Sequence, residues 1–385
     1  MKTSRDRILT THVGSLPRSG AVVELLQRRE KGEAIDPGEF NRVVGGAVAD
    51  TVKRQVALGV DVVSDGETSK ISYSTYVTDR LTGFSSEGPT ETARPHLDLA
   101  AFPELRRKMA LLTGPRPFKR VSCVGPVKVR DRAALQNDLE NMRRATTAAG
   151  AAEAFLNAAS PGVVATFLPN QYFPTHEAYI EAVADAMRDE YEAIAAAGFV
   201  LQVDCPDLAM ARHTAFQELS ETDFLKRAQF HVETLNHALA KVPVDRLRIH
   251  VCWGNYEGPH THDVDLAKLA NIILGVNAMA FSIEAANPRH EHEWAVWKEV
   301  RLPDDKILLP GVVDTCTNYV EHPDLVAQRI ARFAEVVGRE RVIASTDCGF
   351  GTFAGYGKID PQIAWLKLGS LVQGAERASK YLWSA

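Results

Sequence analysis

The stretch LRIHVCWGNYEGP (247–259) joins a short apolar run, two metal-binding residue types and a turn. Residues two apart on a β-strand point to the same side, so His250 and Cys252 share one face of the predicted strand. The Gly, Asn and Pro that follow are typical of a strand end. The stretch therefore predicts a strand with two candidate ligands at its carboxyl end.

Comparable apolar runs recur along the whole chain and alternate with helical patterns. The patterns at 176–198 and 322–338 have apolar residues three and four apart and end at glycine, as amphipathic helices do. Eight such alternations predict an α/β fold, a (β/α)8 TIM-type barrel, because no G-x-G-x-x-G follows the first strand. The predicted barrel strands lie at 8–15, 60–67, 118–125, 199–205, 247–253, 279–285, 306–314 and 341–348.

The domain organisation follows from the same pattern. We predict one catalytic barrel over residues 1–385, with insertions at roughly 68–115 and 130–175. The run VVATFLP (163–169) is rich in β-branched residues and is interpreted as a ninth strand within the second insertion. No repeat or low-complexity tract indicates a second domain.

The composition excludes several classes of protein. The net charge is −5 with both signs interspersed, which gives no basic footprint for nucleic acid or a membrane surface. No signal peptide or spanning apolar run is evident, and five cysteines in 385 residues do not form a disulfide framework. We therefore expect a cytoplasmic enzyme with no nucleic-acid or membrane partner; a homo-oligomer is compatible with the sequence.

Polar residues of catalytic types close most of the predicted strands. In a βα barrel these strand ends lie on one face, where the active site is found. The residues are His12, Asp65, Glu67, Asp204, His250, Cys252, Glu284, Asp314 and Cys348.

Four of these residues suit a metal ion. The imidazole of His250, the thiols of Cys252 and Cys348 and the carboxylate of Glu284 offer the N, S and O ligands that Zn²⁺ binds. Buried cysteines also serve as plain small hydrophobic residues, so the residues alone leave both interpretations open. The histidines at 260, 262, 290 and 292 are expected in surface or helix-capping positions.

Several segments, in order, carry a family resemblance that covers nearly the whole chain. They are TTHVGSLPR (10–18), DGE (65–67), VGPV (124–127), QVDCP (202–206), HVCWGNY (250–256), SIE (282–284), PGVVD (310–314) and DCG (347–349). In these segments the chain resembles the C-terminal catalytic barrel of the cobalamin-independent methionine synthase family.

The resemblance implies a ligand set and a reaction. His250, Cys252, Glu284 and Cys348 become the zinc ligands, and the zinc activates homocysteine as a thiolate. This thiolate takes a methyl group from a donor such as 5-methyltetrahydrofolate, which gives methionine. Glu67 and Asp204 are expected to hold the homocysteine ammonium group.

Further substrate contacts and a catalytic pair are expected from the same match. Gly14 and Ser15 offer backbone donors near the substrate carboxylate, while Asp65 either assists with the amine or caps a helix. His12 and Arg18 either neutralise an acidic substrate group or pack, and Trp253 is a candidate for stacking on a donor ring. Asp314 is retained, and Cys316 stands where long members carry a proton-donating histidine.

Other functions stay open on the sequence alone. The length and the H-x-C…C set also resemble epoxyalkane:coenzyme M transferase, which alkylates a different thiol. The uroporphyrinogen decarboxylase barrel shares the architecture and acts as a metal-free lyase. A zinc-stabilised binding barrel without catalysis would have a closed four-ligand site.

Overall fold

The computed structural model describes residues 1–87, 96–113, 120–357 and 359–384. Its strands are β1 (Leu9–Thr10), β2 (Val62–Ser64), β3 (Phe84–Ser85), β4 (Ser122–Cys123), β5 (Glu153–Ala159), β6 (Val200–Asp204), β7 (Leu247–Val251), β8 (Ala280–Ile283), β9 (Ile307–Val313) and β10 (Ile343–Thr346). Its helices are α1 (Gly20–Glu30), α2 (Pro37–Leu58), α3 (Val77–Arg80), α4 (Leu97–Ala100), α5 (Pro103–Thr113), α6 (Ala133–Ala149), α7 (Pro161–Phe167), α8 (His176–Ala196), α9 (Glu221–Ala238), α10 (Leu266–Leu274), α11 (Val296–Glu299), α12 (Pro323–Val337) and α13 (Pro361–Leu382).

Eight of these strands form a nearly closed parallel barrel. Their order around the sheet is β1-β10-β9-β8-β7-β6-β5-β2. The two ends of this order meet where the Asp61 amide donates to the Thr10 carbonyl at 3.1 Å. Long helices such as α2, α8, α12 and α13 each bury an apolar stripe. The predicted (β/α)8 TIM-type barrel is confirmed.

The third barrel strand lies elsewhere than predicted. It is β5, within EAFLNAA, whose alanines gave little β-strand signal although six of its seven residues are buried. The prediction at 118–125 was wrong: β4 pairs antiparallel with β3 outside the barrel. Residues 118–119 lie outside the described residues.

The predicted ninth strand at 163–169 was also wrong, because this segment belongs mostly to α7. Ser160 accepts a hydrogen bond from the Val163 amide, and Pro161 takes the first helical turn, which are standard helix-start features. These two local signals outweigh the β-branched composition of the run.

The two predicted insertions differ in whether they contain a strand of the barrel. The range 68–115 contains α3, β3, α4 and α5, and its residues 88–95 and 114–115 lie outside the described residues. The range 130–175 contains β5 flanked by α6 and α7, so it includes a barrel strand. None of the described helices is both long and apolar enough to cross a membrane.

Candidate metal centre and active-site cavity

Three buried side chains of metal-ligand types converge at the carboxyl ends of β7 and β10. One donor atom each from His250, Cys252 and Cys348 lies within 4.8 Å of the other two. The Cys348 Sγ atom is 3.8 Å from His250 Nε2, and it donates to Glu284 Oε1 at 3.1 Å. We call these four residues the cysteine site.

The chemistry of the cysteine site suits a divalent cation. Burial lowers the pKa of His250 to about 4, which leaves a neutral imidazole able to bind metal. Burial raises the pKa values of the Cys348 thiol and the Glu284 carboxyl above their usual ranges. A cation among them would favour the charged forms instead, and this mixed N, S and O donor set fits Zn²⁺.

Asp347 orients the cysteine site from behind. Its carboxylate accepts hydrogen bonds from the amides of Ala285 and Ala286 at 2.8 Å, next to Glu284 in the chain. A Cβ atom at Gly311 would lie 2.2 Å from Asp347 Oδ1, so glycine is required in β9 for this close approach. Asp347 was not among the predicted residues, although it stands directly before Cys348 at a strand end.

A large cavity, about 1100 Å³ in volume, opens over this face of the barrel. Three of the four cysteine-site residues line it, while Glu284 lies behind them. The predicted residues that contribute to its wall are Ser15, Glu67, Asp204, His250, Cys252, Cys316 and Cys348.

Glu67 presents an unsatisfied carboxylate to the cavity. Its Oε2 atom is buried and has no hydrogen-bond partner among the described residues. Its backbone φ is 53°, a left-handed conformation that is uncommon outside glycine. Asp65 Oδ1 accepts from the Glu67 amide at 2.9 Å, and the Arg18 guanidinium donates to the Glu67 carbonyl at 2.7 Å. Burial and the neighbouring Asp204 raise the pKa of Glu67 to about 8.

Asp204 faces the same cavity and is held by amide side chains. Asn157 Nδ2 and Gln202 Nε2 donate to its carboxylate at 3.0 and 2.7 Å. Gly14, with φ of 147°, passes so close that an added Cβ would lie 2.5 Å from Asn157. Gly14 thus lets the loop after β1 pass close to Asn157, and Ser15 beside it reaches the cavity wall.

Some of the predicted substrate-binding residues are buried away from the cavity. His12 Nε2 contacts Gln55 Oε1 at 2.7 Å, and burial lowers its pKa to about 4. Trp253 is fully buried, donates to the Val264 carbonyl at 2.7 Å and stacks on His290. Neither side chain lines the cavity, so stacking of Trp253 on a substrate ring is corrected to a packing role.

The two predicted catalytic residues, Asp314 and Cys316, have different positions. Asp314 holds a loop, and Cys316 lies in the cavity wall. Asp314 accepts from the backbone amides of Cys316 and Thr317 at 3.0 and 2.9 Å, which shapes the loop after β9. Cys316 lines the cavity and donates to Asn255 Oδ1 at 3.2 Å. Burial raises the pKa of Cys316, so its thiol stays protonated at neutral pH.

Two features of the cavity wall were missed at the level of sequence. The first is an aromatic surface in which Tyr73 lies 5.7 Å from Phe167 and 6.2 Å from Phe353, ring centre to ring centre. The second is His176, whose Nε2 is 3.0 Å from His231 Nε2 in front of Asp207. These residues come from helices and loops, where no strand-end pattern marks them.

Comparisons with known proteins agree with this architecture. The family profile described as cobalamin-independent synthase, catalytic domain, matches residues 8–92 and 161–365. A methionine synthase of Thermococcus kodakarensis is 24% identical over 95% of this chain and 92% of its own length. One from Saccharolobus solfataricus is 22% identical over 95% of this chain and 93% of its own length.

Solved structures show the same fold. A B12-independent methionine synthase from Shewanella sp. W3-18-1, in complex with selenomethionine, superposes with a TM-score of 0.73 and 19% identity, over 98% of this chain and all of that chain. A putative vitamin-B12-independent methionine synthase from Listeria monocytogenes gives a TM-score of 0.65 with 18% identity, over 98% and 99% of the two chains.

The barrel is parallel, and a buried cysteine-rich donor set lies in the wall of its large cavity. These two features define a class of barrel enzymes with a candidate metal centre at the strand ends. The profile match covers most of the chain, from the first barrel strand to the last helix. The chain belongs to the cobalamin-independent synthase family, as its motifs predicted.

Proposed function

We propose that the chain is a zinc-dependent methyltransferase that methylates a small thiol, with homocysteine as the thiol and methionine as the product. The observation that carries this proposal is the pairing of two features in one cavity. The buried donors of His250, Cys252 and Cys348 converge in its wall. The unpaired carboxylate of Glu67 lines the same space.

The cysteine site would hold the zinc. A zinc ion bound there lowers the pKa of a substrate thiol, so that the sulfur is nucleophilic at neutral pH. Asp347 and Asn287 hold the Glu284 carboxylate in place through the backbone and a 3.2 Å hydrogen bond. This support presets the ligand geometry before substrate enters.

Glu67 and Asp204 supply the anchor for an α-amino group. Two buried carboxylates that face one cavity favour a cation between them, because mutual repulsion is relieved when an ammonium group binds. A thiol with an amino group therefore gains a charge-assisted contact that a simple thiol lacks. The methionine synthase names of the relatives support homocysteine in this role.

The aromatic surface and Cys316 suit the methyl donor. The rings of Tyr73, Phe167 and Phe353 offer a face for a planar heterocycle such as the pterin of 5-methyltetrahydrofolate. In the transfer, the sulfur–carbon bond forms as the nitrogen–methyl bond breaks, and the electron pair stays on nitrogen. The protonated thiol of Cys316, which lines the cavity, would give that nitrogen a proton.

The test begins with zinc content and then follows thiol binding. Purified protein is analysed for metal, and X-ray absorption of the zinc is recorded with homocysteine and, separately, with coenzyme M. A new sulfur ligand with homocysteine supports the proposal. The same change with coenzyme M alone favours a function like that of epoxyalkane:coenzyme M transferase. Absence of zinc favours the metal-free lyase function instead.

A matched pair of variants assigns the ligands. Cys348→Ala should lose the sulfur-bound zinc and methyl transfer together, because it removes a thiol from the donor set. Cys123→Ala removes an equally buried thiol from β4, outside the barrel, and should keep both. A Cys348→Ala protein with full sulfur-bound zinc and full rate would contradict the ligand set.

A further inference from the structure

A second group of metal-binding side chains lies on the same face of the barrel, in three loops that follow successive strands. His213 follows β6, His260 and Asp263 follow β7, and His290 follows β8. We call these four residues the histidine cluster. The side chains of His213, His290 and Asp263 are at most 3% exposed, and that of His260 is 12% exposed.

Asp263 is the centre of the cluster. Its Oδ2 atom is 2.8 Å from His260 Nδ1 and 3.0 Å from His290 Nε2, while its Oδ1 atom is 3.1 Å from His213 Nδ1. One atom each from His260, Asp263 and His290 lies within 4.8 Å of the other two. Three imidazoles from three loops thus converge on a single carboxylate.

The second nitrogens of two imidazoles also face acceptors. His290 Nδ1 is 2.7 Å from Glu293 Oε2, and His260 Nε2 is 3.0 Å from the Tyr256 carbonyl. Because neither acceptor can donate, hydrogen bonds on both sides would require both rings to be doubly protonated. Two imidazolium ions would then face one oxygen of Asp263, and a divalent cation would take the place of the two protons between them.

His213 adds an unsatisfied group on the other oxygen of Asp263, where it forms a separate group with Asp98 and Asp263. Neither of its ring nitrogens has a well-formed hydrogen bond among the described residues, and Asp263 Oδ1 has none either. These two atoms face each other at 3.1 Å in a fully buried position. A cation held through Oδ2 would leave Oδ1 to His213, whose ring can donate to it and hold the carboxylate in place.

We propose that the histidine cluster binds a divalent cation of the Zn²⁺ class through His260, His290 and Asp263, with His213 as a second partner of the Asp263 carboxylate. One divalent ion replaces two ring protons, so the net charge of the cluster does not change. Three protein ligands would hold the ion, and no sulfur takes part. Glu293 and the Tyr256 carbonyl already hold the outer ring nitrogens, as second partners of metal-binding histidines do.

The cation would tie two active-site loops together through its ligands, and His213 joins a third loop to Asp263. Trp253 stacks on His290 with ring centres 4.1 Å apart, and it directly follows Cys252 in the chain. The loop that leaves the cysteine site is therefore packed against the cluster. We assign the second ion a structural role, one that fixes these loops without touching substrate.

Zinc stoichiometry tests this inference. Metal-free protein is titrated with Zn²⁺, and bound metal is counted after removal of the excess. The intact chain should bind two zinc ions, and Cys252→Ala with Cys348→Ala should bind one. X-ray absorption of the zinc left in this double variant should show nitrogen and oxygen ligands without sulfur.

Two neighbouring histidines provide the matched control. His290→Gln should bind one zinc, with an average of two protein sulfur ligands per zinc instead of one in the intact chain. His292→Gln, two residues away and exposed, should bind two. His260→Gln replaces the other imidazole ligand, from a different loop, and should repeat the loss if His290→Gln folds poorly.

The outcomes separate this inference from the proposed function. One zinc in the intact chain and none in the double cysteine variant would overturn the second site and leave the cysteine site standing. If the intact chain binds one zinc that remains in the double cysteine variant and is lost in His290→Gln, the histidine cluster is the metal site. The cysteine site of the proposed function is then overturned. Two zinc ions in His290→Gln and in His260→Gln would also overturn the proposal.

Discussion

The cysteine site and the histidine cluster lie side by side at the carboxyl end of the barrel, yet they are built in opposite ways. Cys252 and Cys348 stand within two residues of strands whose direction is fixed by the sheet. His213 and His260 stand on loops, and their approach depends on how those loops fold. Strand ends place reactive groups with little freedom, whereas loop residues need a shared partner such as Asp263 to hold them.

The largest expected effect is on the rate of methyl transfer, and it should distinguish the cysteine site from the histidine cluster. Cys252→Ala should lower methyl transfer by about 10³-fold or more, because stabilisation worth several kcal/mol is lost with the metal. His290→Gln should lower it less than about tenfold at saturating substrate, since the cluster only supports loops. Steady-state kinetics on zinc-saturated protein measures both, and equal losses would break the distinction.

Glu67→Gln should act on substrate affinity more than on chemistry. Loss of one charge-assisted contact should cost roughly 1.5–3 kcal/mol and raise the KM for homocysteine accordingly, with little change for a propanethiol without an amine. Asp185→Asn, an exposed carboxylate that pairs with Arg188 on α8, serves as the control. A similar rise in KM for both thiols would remove Glu67 from amine recognition.

The pH dependence of homocysteine binding should reflect the titration of the Glu67 carboxylate. The pKa of Glu67 in the free protein is raised to about 8, so below that pH the ammonium must displace a proton before it binds. Affinity for homocysteine should therefore rise by up to about tenfold per pH unit until pH 8, in excess of the rise for propanethiol. Calorimetry in two buffers measures the proton release, and Glu67→Gln should abolish the excess.

The smallest effect on catalysis is expected at Trp253, the residue between the two regions. Trp253→Phe keeps the stack on His290 but leaves the Val264 carbonyl without its donor. This should cost about 1–3 kcal/mol of unfolding free energy in urea and change the saturated rate little. A large rise in KM for the methyl donor would instead restore a substrate-stacking role.

The difference between strand ends and loops also explains which parts of the fold and the site could be predicted from the sequence. Seven barrel strands and the four residues of the cysteine site follow from apolar runs that end in polar residues, a pattern that backbone geometry makes reliable. β5 was missed because the barrel buries EAFLNAA despite its weak strand propensity. His290 was expected at the surface, but it is buried against Asp263, 27 residues earlier in the chain, and stacks on Trp253.

The order of the ligands along the chain has a consequence for synthesis. His250 and Cys348 are 98 residues apart, and β10 is the last strand to take its place, between β9 and β1. As the chain leaves the ribosome, the two thiols of the cysteine site remain separated until that strand docks. Metal loading at the proposed site would therefore report a finished barrel, and a truncated chain would carry its histidine and first cysteine without being able to hold the ion.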